Sequence, residues 1–102
     1  MEASRTDNVT VDVTPGKVCE AKFGGGKRTV LFLTNVSTGG QVISLAVGSE
    51  AILNKGIVLN PGGFYSESTD NRFTCTQESI TAISDIAGAI LAIHERINYD
   101  GI

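Results

Sequence analysis

A chain of 102 residues with 41% hydrophobic and 19% charged side chains is long enough for one hydrophobic core and too apolar to stay disordered. A formal net charge of -3 and a pI near 4.9 exclude the concentrated excess of Lys and Arg that a phosphate backbone requires, so nucleic acid is not expected as the main partner. With no Trp, four Phe and two Tyr, the interior must be filled by Ile, Val, Leu and Ala, which suits the pleated surface of a sheet.

In chain order, Met1 to Asn8 carries Glu2, Arg5 and Asp7 without periodicity and reads as an N-terminal arm, ordered only where something outside the domain holds it. Val9, Val11 and Val13 alternate with polar residues as a first strand that Pro15-Gly16 ends. Cys19, Ala21 and Phe23 give a second strand, closed by the turn Gly24-Gly25-Gly26-Lys27. In Val30-Leu31-Phe32-Leu33 there is no polar face, which predicts a strand buried on both sides. The turn residues Ser37 to Gly40 then lead into Ile43, Leu45 and Val47, and the whole stretch reads as a central hairpin.

Gly48 to Gly56 reads as a loop with at most one helical turn. The following Gly56 to Leu59 is a short strand running into the Pro61-Gly62 turn. Phe64 to Ser68 returns as a strand, Asp70-Asn71-Arg72 is a polar loop, and Phe73 to Thr76, Ser79 to Ser84 and Ala89 to Ile97 complete the set. The run Gly88 to Ile93 is too short for a stable helix, and its isoleucines favour a strand. Residues 1–8 are thus an arm, 9–97 the domain and 98–102 a C-terminal tail. About eight short strands with regular turn signals predict an all-β fold, a small antiparallel sandwich or barrel, with a jelly roll among the options.

No apolar run reaches the roughly 18 to 20 residues that cross a bilayer, and the polar start is unlike a signal peptide. The chain is therefore expected to fold in a cytoplasm, where Cys19 and Cys75 stay as free, partly buried thiols.

Reactive constellations are few. Gly24-Gly25-Gly26-Lys27 lacks the earlier Gly and the final Ser or Thr of a phosphate-binding loop, since Ala21 and Arg28 stand there. Lys22, Lys27 and Arg28 form the one basic cluster and read as a solvated loop. His94 is the sole histidine, so neither a multi-His metal site nor a complete Cys and His zinc set is expected. A nucleophilic pair of Cys19 or Cys75 with His94 needs the fold to bring them together. Glu67, Asp70 and Glu78 match no calcium-loop spacing and read as solvated carboxylates. The tripeptides at Asn8 and Asn35 match the glycosylation acceptor by composition alone. No catalytic, cofactor or metal residue is assigned.

The order RTVLFLTNVS (Arg28 to Ser37), ISLAV (Ile43 to Val47), GIVLNPGG (Gly56 to Gly63), ITAIS (Ile80 to Ser84) and LAIHE (Leu91 to Glu95) resembles a family of short tailed-phage virion proteins. The resemblance implies a bacteriophage structural protein without enzymatic activity, made in the host cytoplasm and built into the virion. As a capsid decoration or cement protein it would bind the major capsid protein as a homotrimer, with the arm and tail reaching onto neighbours. A vertex, neck, tail or fibre-base protein is the alternative within that class. Outside it stand a receptor- or carbohydrate-binding module using Phe64, Tyr65 and Phe73, and a Cys and His hydrolase.

Overall fold

The computed structural model describes residues 2–22, 26–69 and 74–99. Eight strands run as β1 (Glu2–Val11), β2 (Gly16–Cys19), β3 (Lys27–Asn35), β4 (Ile43–Val47), β5 (Ile57–Leu59), β6 (Phe64–Ser68), β7 (Ile80–Ser84) and β8 (Ala89–Asn98). They form two antiparallel four-stranded sheets, one in the order β1-β8-β3-β6 (sheet A) and one in the order β2-β7-β4-β5 (sheet B). This alternation of strands between two layers is the double Greek key of a jelly roll. The expected sandwich is therefore the fold, and the barrel alternative falls away.

Alternation writes the core. In β8, Ala89, Leu91, Ile93, Glu95 and Ile97 are buried while the residues between them face out. They meet Leu31 and Leu33 of β3 and, from the other layer, Ile43, Leu45, Leu59, Ile80 and Ala82. The strands Ile43 to Val47, Phe64 to Ser68 and Ile80 to Ser84 lie where the sequence predicts. So does the turn at Pro61-Gly62, where Gly62 takes a φ of 84° and the Gly63 N–H donates to the Asn60 carbonyl at 2.7 Å.

Several expectations are corrected. The segment 1–8, read as a free arm, supplies most of β1, and Glu2 to Val11 pair residue by residue with Asn98 to Ala89. Short polar residues alternate there too, with a neighbouring strand supplying the order that apolar periodicity lacks. β3 and β4 are not a hairpin: they lie in different sheets, and 36–42 carries the chain from one layer to the other. Phe32 is not buried on both sides, since it points outward between buried Leu31 and Leu33. The second strand is Gly16–Cys19 rather than Cys19 to Phe23, and 74–77 is not a strand. The tail begins inside β8 at Asn98, and Phe23, Asp70 to Phe73 and residues 100–102 lie outside the described residues.

Two polar pins hold the ends of β3. At one end, Arg28 and Glu95 are each only 1% exposed, and the Arg28 Nε donates to Glu95 Oε2 at 2.9 Å. The rest of the guanidinium donates to the carbonyls of Thr76 (2.7 Å), Glu78 (3.1 Å) and Glu20 (2.8 Å). Arg5 of β1 donates to the other Glu95 oxygen at 3.2 Å and to the Val18 carbonyl at 3.1 Å. These bonds tie three strands of sheet A to β2 and to the irregular strap 74–79, whose carbonyls find no ladder of their own.

At the other end, the fully buried Asn35 amide donates to the carbonyls of Gln41 (2.8 Å) and Leu59 (2.9 Å). Its oxygen accepts from the Ser37 N–H at 3.0 Å. Among the described residues no buried side-chain N or O atom lacks a partner, which is the condition for a polar interior to help rather than harm the fold.

Candidate functional site

The residues with reactive side chains are not gathered into one site. His94 sits on the outer face of sheet A, where its Nδ1 lies 3.0 Å from Thr6 Oγ1. Cys19 and Cys75 lie on the other side of that sheet, inside the core, each 1% exposed and free. A strand alternates its faces, so a residue flanked by buried Ile93 and Glu95 cannot reach into the core they occupy. The possible Cys and His pair is therefore not formed.

Burial, and after it the Glu95 charge, pushes the Cys19 thiol up to about 11. Burial and then the Glu67 charge do the same for Cys75, also to about 11. Both side chains are protonated, shielded and unreactive near neutrality. Between pH 9.0, the ordinary thiol value, and about 11, the folded chain holds these protons while the unfolded chain releases them. Stability from this source is complete below pH 9.0 and is lost as pH rises through about 11. Urea midpoints measured at neutral and at strongly alkaline pH should show that loss, and it should shrink in the Cys19→Ala/Cys75→Ala variant. An unchanged slope in that variant would assign the loss to other groups.

The remaining candidates resolve as structural groups. Arg28, read as part of a solvated basic cluster, is the buried centre of the first pin, while Lys27 is exposed. Glu67 is not a solvated carboxylate: it accepts from the Tyr65 hydroxyl and from the Thr76 N–H at 2.7 Å. Burial, followed by that bond, pushes Tyr65 up to about 12. Asp70, Gly24 and Gly25 lie outside the described residues, and Asn35 is buried beyond the reach of any modifying enzyme. Among the described residues no group of three or more His, Cys, Asp or Glu is placed to hold a metal.

What the surface does offer is a nearly uncharged, largely hydroxyl-bearing face with two exposed aromatic rings, which the sequence reading missed. On the outside of sheet A the register sets Thr6, His94, Phe32 and Ser66 in one row and Asn8, Ala92, Thr34 and Phe64 in the next. Phe32 and Phe64 sit diagonally across β3 and β6 and stack with centroids 5.2 Å apart and planes 7° from parallel. They are 40% and 61% exposed, and Val36 beside the end of β3 is exposed as well. The signal was present in the phase of β3. If Leu31, Leu33 and Asn35 face in, Phe32 must face out.

A second feature lies by sheet B. An open depression of about 320 Å³ is lined by Leu45, Val47, Ile52 and Ile57, with Glu50 and Lys55 beside them.

The strand edges complete the picture. β6 and β5 share one flank of the sandwich, β1 and β2 the other. Three edges are guarded: β1 carries Arg5 and Asp7, β2 carries Lys17 after Pro15, and β5 has only three residues before Pro61. The five-residue β6, FYSES, contains neither Pro nor a basic residue. Its one charged side chain, Glu67, is engaged by Tyr65 and Thr76, which leaves this edge the least protected of the four against pairing with another chain.

No family model and no curated protein matches the chain. Among solved structures it is similar to one of the Bacillus endospore appendages, which form a novel family of disulfide-linked pili. The TM-score is 0.60 at 17% sequence identity, covering 97% of this chain and 86% of that one. At that identity the likeness establishes the fold. It also corrects the role that the phage resemblance implied. The matching architecture is found in an appendage subunit rather than in a capsid decoration or cement protein, and the shared pattern of strands and turn does not carry a virion function.

Proposed function

We propose that this chain is a non-enzymatic building block that joins copies of itself into an extended assembly of the pilus type. The observation that carries the proposal is the arrangement of edges. Open sheet edges stand on opposite flanks, and the least guarded, β6, runs beside the exposed Phe64. A contact between unlike flanks is heterologous, and where its rotation does not close it adds subunits without limit. The likeness to the endospore appendage fold supports the same reading. So does the interior, in which the buried polar groups among the described residues bond within the chain, leaving shape and surface to meet a partner.

The assembly proposed here differs from a disulfide-linked one in its chemistry. Cys19 and Cys75 are buried, so contacts between folded copies do not run through their sulfurs. Sedimentation velocity and negative-stain microscopy of the purified full chain over a range of concentrations test the proposal. Species growing well beyond 10.7 kDa, unaffected by reductant, are expected. A particle of 10.7 kDa at every concentration would overturn it.

A further inference from the structure

We infer that copies of the chain meet through the outer face of sheet A, centred on Phe32 and Phe64, so that the same face of two molecules packs together about a two-fold axis. This rests on the self-assembly reading above and adds to its contacts between edges a second, closed contact through a sheet face.

Charge selects the partner. The chain has 8 basic and 11 acidic residues, yet Arg96 is the one Lys, Arg, Asp or Glu among the described side chains that face outward from rows 4 to 10 of β1 and their partners on β8, β3 and β6. The rest are Ser, Thr, Asn, Ala, Ile, Val, His94 and the two Phe. Such a face has nothing with which to attract a charged partner, and a two-fold contact sets any charge near its axis against its own copy. A face almost free of charge avoids that repulsion. Arg96 lies two residue pairs along β8 from the row of Phe64, at about 13 Å. An axis through the aromatic pair therefore keeps the two guanidiniums on opposite sides of the contact.

Shape allows this contact and area limits its strength. Two twisted sheets pack face to face as in a sandwich, about 10 Å apart, and the hydroxyls of Thr34 and Ser66, which directly oppose Phe64 and Phe32, stand at the centre of the contact, where they must pair across it. Four strands over about six residue steps give a footprint of roughly 20 Å by 20 Å, below the roughly 800 Å² per partner of a standard interface. The pair is weak by itself and gains its persistence when further contacts hold many copies together.

Sedimentation equilibrium on the full chain, up to about 1 mM, measures the pair directly. Phe32→Arg on the interior strand β3 and Phe64→Arg on β6, both at exposed positions, should each weaken association by about tenfold or more while leaving the urea midpoint near that of the parent. Val58→Arg, on exposed β5 of sheet B, should leave association unchanged. If copies associate and Phe32→Arg does not weaken them, this face is not the contact, while assembly through strand edges still stands. If Val58→Arg is the variant that disrupts association, sheet B is the contact instead. If the parent chain never associates, the self-assembly reading itself falls.

Discussion

Replacing Glu95 by Ala is expected to cost about 3 to 5 kcal/mol of stability, the range for a buried ion pair broken from one side. Small domains hold only about 5 to 15 kcal/mol in total, so the variant should unfold in little urea or fail to fold. The reason lies in what remains. Arg28 would keep its three carbonyl partners and lose its only counter-charge, at a position 1% exposed where water cannot take over. Arg5, whose side chain is 34% exposed, can turn to solvent and adds little to the loss.

The same reasoning makes a sharper test. Arg28→Met with Glu95→Leu removes both charges together, and the double variant should be more stable than Glu95→Ala alone. The strap 74–79 would then lose its guanidinium bonds and should exchange its amide hydrogens faster. Chemical denaturation of the singles and the double gives the cycle. A cost for Glu95→Ala below about 1 kcal/mol would place the pair among solvent-exposed salt bridges, against its burial.

What was legible in the sequence follows from this wiring. Strands whose two faces differ in polarity declared themselves: Ile43 to Val47, Ile80 to Ser84 and Ala89 to Ile97 all fall in register with the structure. β1 did not, because Ser4, Thr6 and Asn8 face out while Arg5 and Asp7 share the inner row, so no apolar period marks it. The hairpin failed for a topological reason. Turn residues at 37–40 show that the chain bends, and nothing local tells whether it bends back into its own sheet or across to the other.

The function drawn from the phage resemblance failed in an instructive way. The residues that gave it shape, Arg28, Asn35, Ser37 and Glu95, are the buried polar groups that fasten β3 to its neighbours. A pattern built from them identifies a way of closing a jelly roll. The parts that decide what the molecule touches, Phe32, Phe64 and the β6 edge, lie outside those positions and are visible only once the register is known.

Asn35→Ala should be the second most damaging single change, at about 3 kcal/mol, because it strands three buried backbone groups at once. The carbonyls of Gln41 and Leu59 would lose the amide that joins them, and the Ser37 N–H would lose its acceptor. Each bond crosses a different boundary. Gln41 ends the link from sheet A to sheet B, Leu59 ends β5, and Ser37 opens the link, so one side chain sets the spacing of the two layers at this end. Asn35→Asp should fare no better. It keeps an acceptor for Ser37 but replaces the one NH2 group that serves both carbonyls by an oxygen facing them, and buries a charge there. Gln41→Ala removes side-chain bonds to Gly39 and Ala87 in the connecting loops and leaves the Gln41 carbonyl bonded, so it should cost about 1 kcal/mol. Urea unfolding of the three variants ranks them. If Asn35→Ala loses no more than Gln41→Ala, water has entered the vacated space and taken over the bonds, and the spacing of the sheets at this end would be set by the apolar contacts of Leu33, Ile43 and Leu59 instead.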